Sequence, residues 1–195
     1  MTTVGVILAG GLARRMGGGD KCRLPVGGRS IIARAIACLG PQVDRLVVNA
    51  NGDPTRFDDL QLPVVADAMM GYPGPLAGIL AGLDWAADAD WVVSVSADCP
   101  FLPDDLVARL HAARNNSVYA VAASGGWTHP VIGLWPTSCR DELRQALHDG
   151  ERKIDRFTGR HPTARAEWAV VPFDPFFNVN TPEDLDQAQR LATGR

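Results

Sequence analysis

The sequence predicts an α/β protein: a three-layer α/β/α sandwich built on a mostly parallel, Rossmann-like sheet with one late antiparallel strand. Two observations predict this class. Short apolar runs rich in β-branched residues alternate with helical patterns as far as Arg114, and such runs are typical of strands that are buried on both faces. In addition, a length of 195 residues suits one domain with one core, which we place at 1–195.

The first four strands and three helices follow from this alternation. The predicted strands are 4–9, 45–50, 62–66 and 91–97. The first helix has an apolar stripe over 31–39 with Ser30 as its N-cap, and the second, 76–87, follows a Gly-Pro pair. The third helix, 103–114, begins with proline and acids and ends with basic residues, as the helix dipole favours.

The pattern changes after the third helix. The runs 117–123 and 130–135 predict two strands joined by a turn, which would add an antiparallel element to the sheet. A helix is predicted over 138–149, before Gly150, and a further strand over 167–173. The last helix begins after Thr181, a suitable N-cap, with a proline in its first turn.

Composition excludes several classes of function. A formal net charge of -3 disfavours a broad nucleic-acid-binding surface. The first residues have neither a basic leader nor a long apolar run, so we expect no signal peptide, no membrane contact and a cytoplasmic location. The four cysteines form no C-x-x-C pair, and no histidine lies at zinc-ligand spacing from them. This pattern disfavours a disulfide framework or a zinc site.

A glycine-rich, basic loop follows the first predicted strand, in the stretch LAGGLARRMGGGDK over 8–21. In open α/β sheets, ligands bind beyond the carboxyl ends of the strands. Glycines allow backbone N–H groups to approach a phosphate closely, and Arg14, Arg15 and Lys21 supply positive charge around them. The loop therefore predicts a polyphosphate site, the alternative being a solvated surface loop.

Two better-known glycine loops do not match this stretch. A P-loop needs Ser or Thr after its lysine, to bind magnesium, whereas Lys21 is followed by Cys22. A dinucleotide-binding loop needs an acid at the end of the second strand, where this chain has Asn49. Such a loop is also shorter and less basic than the stretch 8–21.

Asp98 is the candidate magnesium ligand. It directly follows the predicted strand 91–97, so its carboxylate should lie at the carboxyl edge of the sheet. Magnesium prefers oxygen ligands, and one carboxylate together with phosphate oxygens and water is sufficient. The alternative, that Asp98 caps the next helix, is weak because five residues separate it from Pro103.

Six motifs, in order along nearly the whole chain, carry a family resemblance. They are L-A-G-G at 8–11, R-M-G-G-x-D-K at 15–21, V-V-N-A-N at 47–51, Y-P-G-P-L-A-G at 72–78, D-x-P at 98–100 and N-V-N-T-P-E-D-L at 178–185. Together they resemble the MobA family of nucleotidyltransferases, the molybdenum cofactor guanylyltransferases. The resemblance implies a fold like that of the nucleotide-diphospho-sugar transferases.

The resemblance also implies a reaction: transfer of GMP from GTP to the terminal phosphate of molybdopterin, by in-line attack assisted by Mg²⁺, with release of pyrophosphate. Asp98 would hold the metal, while Arg15 and Lys21 would offset charge on the leaving phosphates. The implied nucleotide contacts are Leu8, Ala9, Gly10, Gly11, Lys21, Asn49, Asp67 and Asp98. Asp67 could accept from the N–H groups of guanine or contact the ribose.

Three further residues are implied as acceptor or metal contacts: Asn178, Asn180 and His129. For Asn180 the alternative is a turn before the Thr181 cap, and for His129 it is a turn histidine. The pair Arg152 and Lys153 could meet the pterin's phosphate or form an exposed helix start. Because a phosphate monoester has a second pKa of about 6, the acceptor needs no strong general base.

Two other functions stay open at this point. One is a relative of the same fold that transfers CTP to molybdopterin, or that transfers CTP or another nucleotide to a different phosphorylated acceptor. Related cytidylyltransferases that act on the same pterin read L-A-A-G, so Gly10 and the P-G-P-L-A-G motif favour GTP over CTP. A guanine-nucleotide-binding regulator without turnover is the alternative from another class, although the residue after Lys21 disfavours a switch GTPase. The expected partners are GTP, molybdopterin and, from the family alone, a protein of cofactor biosynthesis or an acceptor enzyme.

Overall fold

The fold is described from a computed structural model, which covers residues 1–10, 20–67, 69 and 74–194. The strands are β1 (Thr3–Leu8), β2 (Pro25–Val26), β3 (Arg29–Ser30), β4 (Arg45–Asn49), β5 (Val64–Val65), β6 (Trp91–Ser96), β7 (Tyr119–Ser124), β8 (Trp127–Pro136) and β9 (Thr163–Trp168). The helices are α1 (Ile31–Leu39), α2 (Pro75–Trp85), α3 (Leu106–Arg114), α4 (Arg140–His148), α5 (Ile154–Thr158) and α6 (Pro182–Ala192).

Seven strands form the central sheet, in the order β5-β4-β1-β6-β8-β7-β9. β1 pairs in parallel with β4 on one side and β6 on the other, and β7 pairs in parallel with β9. Strand β8 is antiparallel to both of its neighbours. The predicted fold class, a mostly parallel sheet with one late antiparallel strand, is confirmed.

Helices cover both faces of this sheet because its central strands are apolar on both faces. Along β1, Ile7 faces one layer of helices, while Val4 and Val6 face the other. The first layer is α1 and α3, with buried Ile32, Ala35, Leu39, Leu106 and Leu110. The second is α2, α4 and α5, with buried Ile79, Leu80, Leu83, Leu143, Leu147, Ile154 and Phe157.

The predicted helix caps are present. The Ser30 hydroxyl accepts from the backbone N of Ala33 at 3.3 Å, and Thr181 forms a capping box with Asp184. Helix α6 packs on the β2–β3 hairpin, where the Gln189 side chain donates to the backbone O of Pro25 at 2.7 Å. This docking fixes the start of α6, and with it the segment that precedes it.

One predicted strand is wrong. The apolar run 167–173 predicts a strand there, whereas the structure has β9 at Thr163–Trp168, in register with β7. In β9 the exposed residues Arg165 and Glu167 alternate with the buried residues Ala166 and Trp168. This is an edge strand with one solvated face, so a search for continuous apolar runs misses it.

Smaller differences concern short elements and boundaries. The β2–β3 hairpin has no counterpart in the prediction, and helix α5 corresponds only to the helix start considered at Arg152 and Lys153. The third predicted helix begins at Leu106 instead of residue 103. None of the helices in the described part of the chain has the length and apolar character of a membrane span.

Candidate functional site

The sheet brings three strand ends together at one edge. Leu8, the last residue of β1, lies in register with Asn49 at the end of β4 and with Ser96 at the end of β6. Asp98 follows two residues after Ser96. Since ligands of open α/β sheets bind beyond the carboxyl ends of the strands, this edge is the candidate site.

A charged cluster lies at the end of β6. The Lys21 ammonium donates to Oδ2 of Asp98 at 2.6 Å and to Oδ1 of Asn180 at 2.7 Å. The Ser96 hydroxyl donates to the other carboxylate oxygen of Asp98 at 2.5 Å. The side chains of Lys21 and Asp98 are only 13% and 18% exposed, so the electrostatic attraction between them is screened less than that of a surface pair.

The segment before α6 is attached to this cluster by its backbone and by a thiol. The backbone N of Val179 donates to the backbone O of Asp98 at 3.0 Å. Cys99 Sγ donates to Oδ1 of Asn178 at 2.8 Å. Burial, and next the neighbouring Asp98 carboxylate, raise the pKa of the Cys99 thiol well above its ordinary value, so this thiol keeps its proton and acts as a donor.

A second polar group lies at the end of β4. Asn49 Nδ2 donates to Oδ1 of Asp67 at 3.0 Å, and Asn51 Nδ2 donates to Oδ2 at 2.7 Å. Asn51 also accepts from the backbone N of Asp67 at 2.8 Å. Both oxygens of the Asp67 carboxylate are thus held in place at the edge of the sheet.

Two clefts open at this edge and share Ser96 and Val131. The first, of about 480 Å³, is lined by residues that include Leu8, Gly10, Asn49, Asn51, Asp67 and Pro75. The second, of about 330 Å³, is lined by residues that include Asp98, Asn178, Asn180, Thr128 and His129. The arrangement can therefore hold two ligands side by side, with the charged cluster between them.

Most of the predicted site residues meet here. Leu8, Gly10, Asn49 and Asp67 line the first cleft, and Asp98, Asn178, Asn180 and His129 line the second. Ala9 and Lys21 line a small hollow between them, again with Asp98. Gly11, Arg14 and Arg15 lie outside the described residues, and so do Tyr72 and Pro73 of the fourth motif.

The structure bears on the alternative roles of Asp98, Asn180 and His129. The N-cap of α3 is Asp105, so Asp98 caps no helix there. The backbone N of Asn180 donates to Asp184 in the turn before α6, and the Asn180 side chain accepts from Lys21. Asn180 is therefore both a turn residue and part of the charged cluster. His129 belongs to strand β8 and is not a turn residue, because the strand begins at Trp127.

The basic pair Arg152 and Lys153 lies directly before helix α5. Lys153 is the N-cap residue of α5, which agrees with the helix start considered from sequence. The Arg152 guanidinium donates to the backbone O of Leu147 at 3.0 Å and of Glu151 at 2.7 Å.

Three residues that were not among the predicted site residues support the site. Arg56 donates to the Asp20 carboxylate at 2.8 Å and to the backbone O of Asn51 at 2.6 Å, and so ties the residue before Lys21 to the end of β4. No local pattern marks Arg56. Ser96 and Asn51 could have been found, since each lies two residues from a predicted site residue at a strand end.

The close packing of α2 on the sheet positions Asn49. A Cβ atom added at Gly78 would overlap Oδ1 of Asn49 and lie 3.0 Å from Cδ2 of Leu8. We therefore expect Gly78→Ala to push Asn49 away from Asp67, to cost about 1–3 kcal/mol of stability and to weaken nucleotide binding. Denaturant unfolding and calorimetric titration with GTP measure the two effects.

Gly40→Ala is the matched control, since a Cβ atom there would meet nothing within 4 Å and Gly40 has an ordinary helical φ of -52°. It should leave binding unchanged and should not lower stability, because Gly→Ala at a helical φ stabilises by up to about 1 kcal/mol. If Gly78→Ala behaved in the same way, the close approach of α2 would have no role in positioning Asn49.

The donor set at Asp98 fits a divalent cation that arrives with a ligand. Oxygens of Asp98, Asn180 and Ser96 converge there, and the Lys21 ammonium occupies the position of a cation between two of them. Within the described residues no group of three His, Cys, Asp or Glu side chains could hold a metal. A divalent ion would thus depend on one carboxylate, with phosphate oxygens and water completing its shell.

Fold and site together define an enzyme that handles nucleotides, a nucleotidyltransferase. Residues 5–165 match the family model described as the MobA-like NTP transferase domain. The chain belongs to this family, and the resemblance found in the sequence is confirmed. NTP transferases of this kind generally use a divalent metal ion.

Curated relatives match nearly the full chain. A molybdenum cofactor guanylyltransferase of Rhodopseudomonas palustris (strain BisB5) is 59% identical over 197 residues, which cover 97% of this chain and 94% of the relative. One of Bradyrhizobium sp. (strain ORS 278) is 58% identical over 195 residues, which cover 96% and 92%.

Solved structures share the fold at low sequence identity. Molybdopterin-guanine dinucleotide biosynthesis protein A of Archaeoglobus fulgidus has a TM-score of 0.78 and 23% identity, and the match covers 98% of this chain and all of that one (100%). The 2-C-methyl-D-erythritol 4-phosphate cytidylyltransferase of Thermus thermophilus has a TM-score of 0.71 and 22% identity, with 99% and 100% covered.

Proposed function

We propose that this protein transfers GMP from GTP to the terminal phosphate of molybdopterin, which yields the guanine dinucleotide form of the cofactor and pyrophosphate. Its family membership and the names of its curated relatives support this reaction. The observation that carries the proposal is the contact of Lys21 with both Asp98 and Asn180, at 2.6 and 2.7 Å, between two clefts. We propose that residues 1–195 act as one domain and that the enzyme is cytoplasmic.

The first cleft is the proposed nucleotide site. Gly10, at the end of β1, would offer its backbone to the phosphates, and Leu8 and Ala9 would line the path to them. Asp67 would meet the base or the ribose at the other end of the cleft. Because Asn49 and Asn51 hold both of its oxygens, Asp67 is oriented before the nucleotide binds, which lowers the entropic cost of binding.

The role of Asp67 can be tested through base preference. A carboxylate that accepts from both N1–H and the exocyclic amine of guanine distinguishes GTP from ITP and CTP. We expect Asp67→Asn to weaken GTP binding by about tenfold, equivalent to about 1.4 kcal/mol, and to remove most of the preference over ITP and CTP. Calorimetric titration with the three nucleotides measures this directly.

Asp53→Asn is the control, since Asp53 is exposed and caps the short helix Pro54–Leu60. Equal weakening of all three nucleotides by Asp67→Asn would assign Asp67 to the ribose instead. Unchanged binding of all three would remove Asp67 from the site.

The metal is proposed to be Mg²⁺, held by Asp98 with Asn180 and Asn178 as further oxygen donors. When bound, it supplies positive charge that neutralises the α-phosphate. Lys21 and Arg15 would bind the β- and γ-phosphates and offset the charge that the leaving pyrophosphate gains. The backbone of Gly10 and Gly11 would orient the triphosphate for in-line attack by an oxygen of the acceptor phosphate.

The acceptor would occupy the second cleft, beside Asn178, Asn180 and His129. A phosphate monoester with a second pKa of about 6 is largely ionised at neutral pH, so the attacking oxygen needs little activation. The chain's contribution is then mainly positioning and charge, which suits a site whose described polar groups include amides, the Asp98 carboxylate and the Lys21 ammonium.

Pyrophosphate release tests the reaction. It should require GTP, molybdopterin and Mg²⁺ together, and CTP, ATP or NAD should not replace GTP. Turnover with CTP in place of GTP would favour the cytidylyltransferase alternative. A rise in Tm with GTP but no pyrophosphate with any acceptor would instead favour a nucleotide-binding regulator.

A further inference from the structure

A part-buried hydrogen-bonded chain lies behind the second cleft, and its members Ser124 and Asp174 have no role in the reaction described above. It joins Ser124 at the end of β7, His129 in β8 and Asp174 in the segment that follows β9. Ser124 Oγ lies 2.7 Å from Nε2 of His129 and 2.8 Å from Oδ1 of Asp174. The backbone N of Phe176 also donates to that carboxylate oxygen, at 2.9 Å.

The chain of contacts determines which imidazole nitrogen carries the hydrogen. An ionised carboxylate only accepts hydrogen bonds, so the single hydroxyl hydrogen of Ser124 is donated to Asp174. The Ser124 oxygen must then accept from His129, and Nε2 carries the hydrogen. Nδ1, the other ring nitrogen, therefore has a free electron pair and is a hydrogen-bond acceptor.

Packing holds the ring in this orientation. The ring centroid of His129 lies 4.9 Å from that of Phe176, which packs edge-on against Trp168 at 5.2 Å. Ser124 and Phe176 are each 1% exposed. With Nε2 turned to Ser124, the opposite edge of the ring is left for the cleft that His129 lines together with Asp98 and Asn178.

The surroundings keep the imidazole neutral. Desolvation lowers the pKa of His129 below its ordinary value of 6.5, and it outweighs the opposing effects of Asp174 and then Glu167. Among the described residues that line the second cleft with His129, the one carboxylate is that of Asp98. A neutral imidazole accepts a hydrogen bond at Nδ1, so its partner in the cleft must be an N–H or O–H group and not an ionised phosphate oxygen.

We propose that Nδ1 of His129 binds the acceptor substrate by accepting a hydrogen bond from an N–H or O–H group outside its phosphate, and that Ser124 and Asp174 are positioning residues that hold Nδ1 toward the cleft. This inference rests on the proposed function, because it assigns the second cleft to a phosphorylated acceptor. It involves binding only, so no bond is made or broken at His129.

A spectroscopic experiment tests the hydrogen-bond assignment on the free protein. In ¹⁵N-labelled protein at neutral pH, His129 should show a protonated Nε2 and an unprotonated Nδ1. Glycerol 3-phosphate, a phosphate monoester that also carries hydroxyl donors, should shift the Nδ1 resonance. Sulfate resembles the phosphate group but has no hydrogen-bond donor at this pH, and should not.

A protonated Nδ1 in the free protein, or an equal shift with sulfate, would overturn the proposal. In Ser124→Ala the response to glycerol 3-phosphate should be lost, while Ser124→Thr, which keeps the hydroxyl, should retain it. A full response in Ser124→Ala would show that Ser124 does not position the ring.

Steady-state kinetics provides the second test. Ser124→Ala should raise the KM for molybdopterin by about fivefold, the value of one ordinary hydrogen bond, with little change in kcat or in the KM for GTP. His129→Gln keeps a donor near the Nε2 position, and His129→Asn keeps an acceptor near the Nδ1 position. The first should raise the KM for molybdopterin more than the second.

The two proposals fail in different ways. If the wild-type protein releases no pyrophosphate with GTP and molybdopterin, the proposed function is wrong. The ¹⁵N spectra then still show which ring nitrogen of His129 carries the hydrogen and whether Nδ1 binds a donor. If the wild-type protein is active but the Ser124 and His129 variants have its KM for molybdopterin, only this inference is wrong.

Discussion

Replacing Asp98 with asparagine is expected to reduce nucleotidyl transfer by more than about a hundredfold, equivalent to about 3 kcal/mol of transition-state stabilisation. Asparagine has the same shape and keeps an oxygen for the Ser96 hydroxyl, which donates to Asp98 at 2.5 Å. The negative charge that would hold the divalent ion is lost. Pyrophosphate release at saturating GTP and acceptor measures the change in kcat.

The fold should survive this substitution, because the backbone of Asp98 still accepts from Val179. The Tm should fall by only a few degrees, and GTP binding measured without metal should persist. Asp88→Asn is the control: Asp88 pairs with Arg45 on the surface, where an ion pair contributes about 0–1 kcal/mol, so activity should be unchanged. Wild-type activity in Asp98→Asn would remove Asp98 from metal binding.

The strands that build this site were predictable because they are buried on both faces. β1, β4 and β6 are continuous apolar runs, and their ends follow from the residues at which the apolar character stops. The rule that ligands bind beyond the carboxyl ends of parallel strands then places Asn49 and Asp98 at one edge. The structure agrees, since both strands pair with β1.

Contacts between distant segments were not predictable from local pattern. Ser124 and Asp174 are 50 residues apart, and they meet only because β9 pairs with β7 and returns the following segment to the end of that strand. The strand prediction missed β9 because Arg165 and Glu167 interrupt its apolar residues. An error in one edge strand therefore concealed the support of His129.

The Lys21 cluster is an intermediate case. Lys21 and Asp98 are 77 residues apart, yet each follows from its own argument, Lys21 from the basic glycine-rich loop and Asp98 from the end of a strand. Their direct contact could not be derived, because it depends on how the chain returns from the loop to the sheet. Asn180 was placed nearby only through the family resemblance.

Removing the Lys21 ammonium should have two opposite effects. We expect Lys21→Met to lower turnover by about a hundredfold, since a cation that offsets charge on the leaving pyrophosphate is lost. We also expect the affinity for Mn²⁺ without nucleotide to rise by about tenfold, or about 1.4 kcal/mol. The reason is that Lys21 donates to Oδ2 of Asp98 at 2.6 Å and so competes with any metal for that oxygen.

Electrostatic repulsion between cations determines the sign of the effect on the metal. Two unit charges at about 4 Å interact by about 4 kcal/mol at an effective dielectric constant of about 20, so an ammonium beside Asp98 strongly opposes a second cation until it moves away. A triphosphate gives the ammonium a new partner, which frees the carboxylate for the metal that accompanies the nucleotide. Lysine and metal would thus exchange partners as the substrate binds.

Arg29→Met is the matched control, because it removes one positive charge from an exposed position in the β2–β3 hairpin. It should change neither turnover nor Mn²⁺ affinity, as measured by electron paramagnetic resonance. If Lys21→Met lowered turnover but left Mn²⁺ affinity unchanged, the ammonium would act on phosphate without restraining the metal site. If both quantities stayed at wild-type values, Lys21 would have no part in the chemistry, and the cluster that joins the two clefts would be structural.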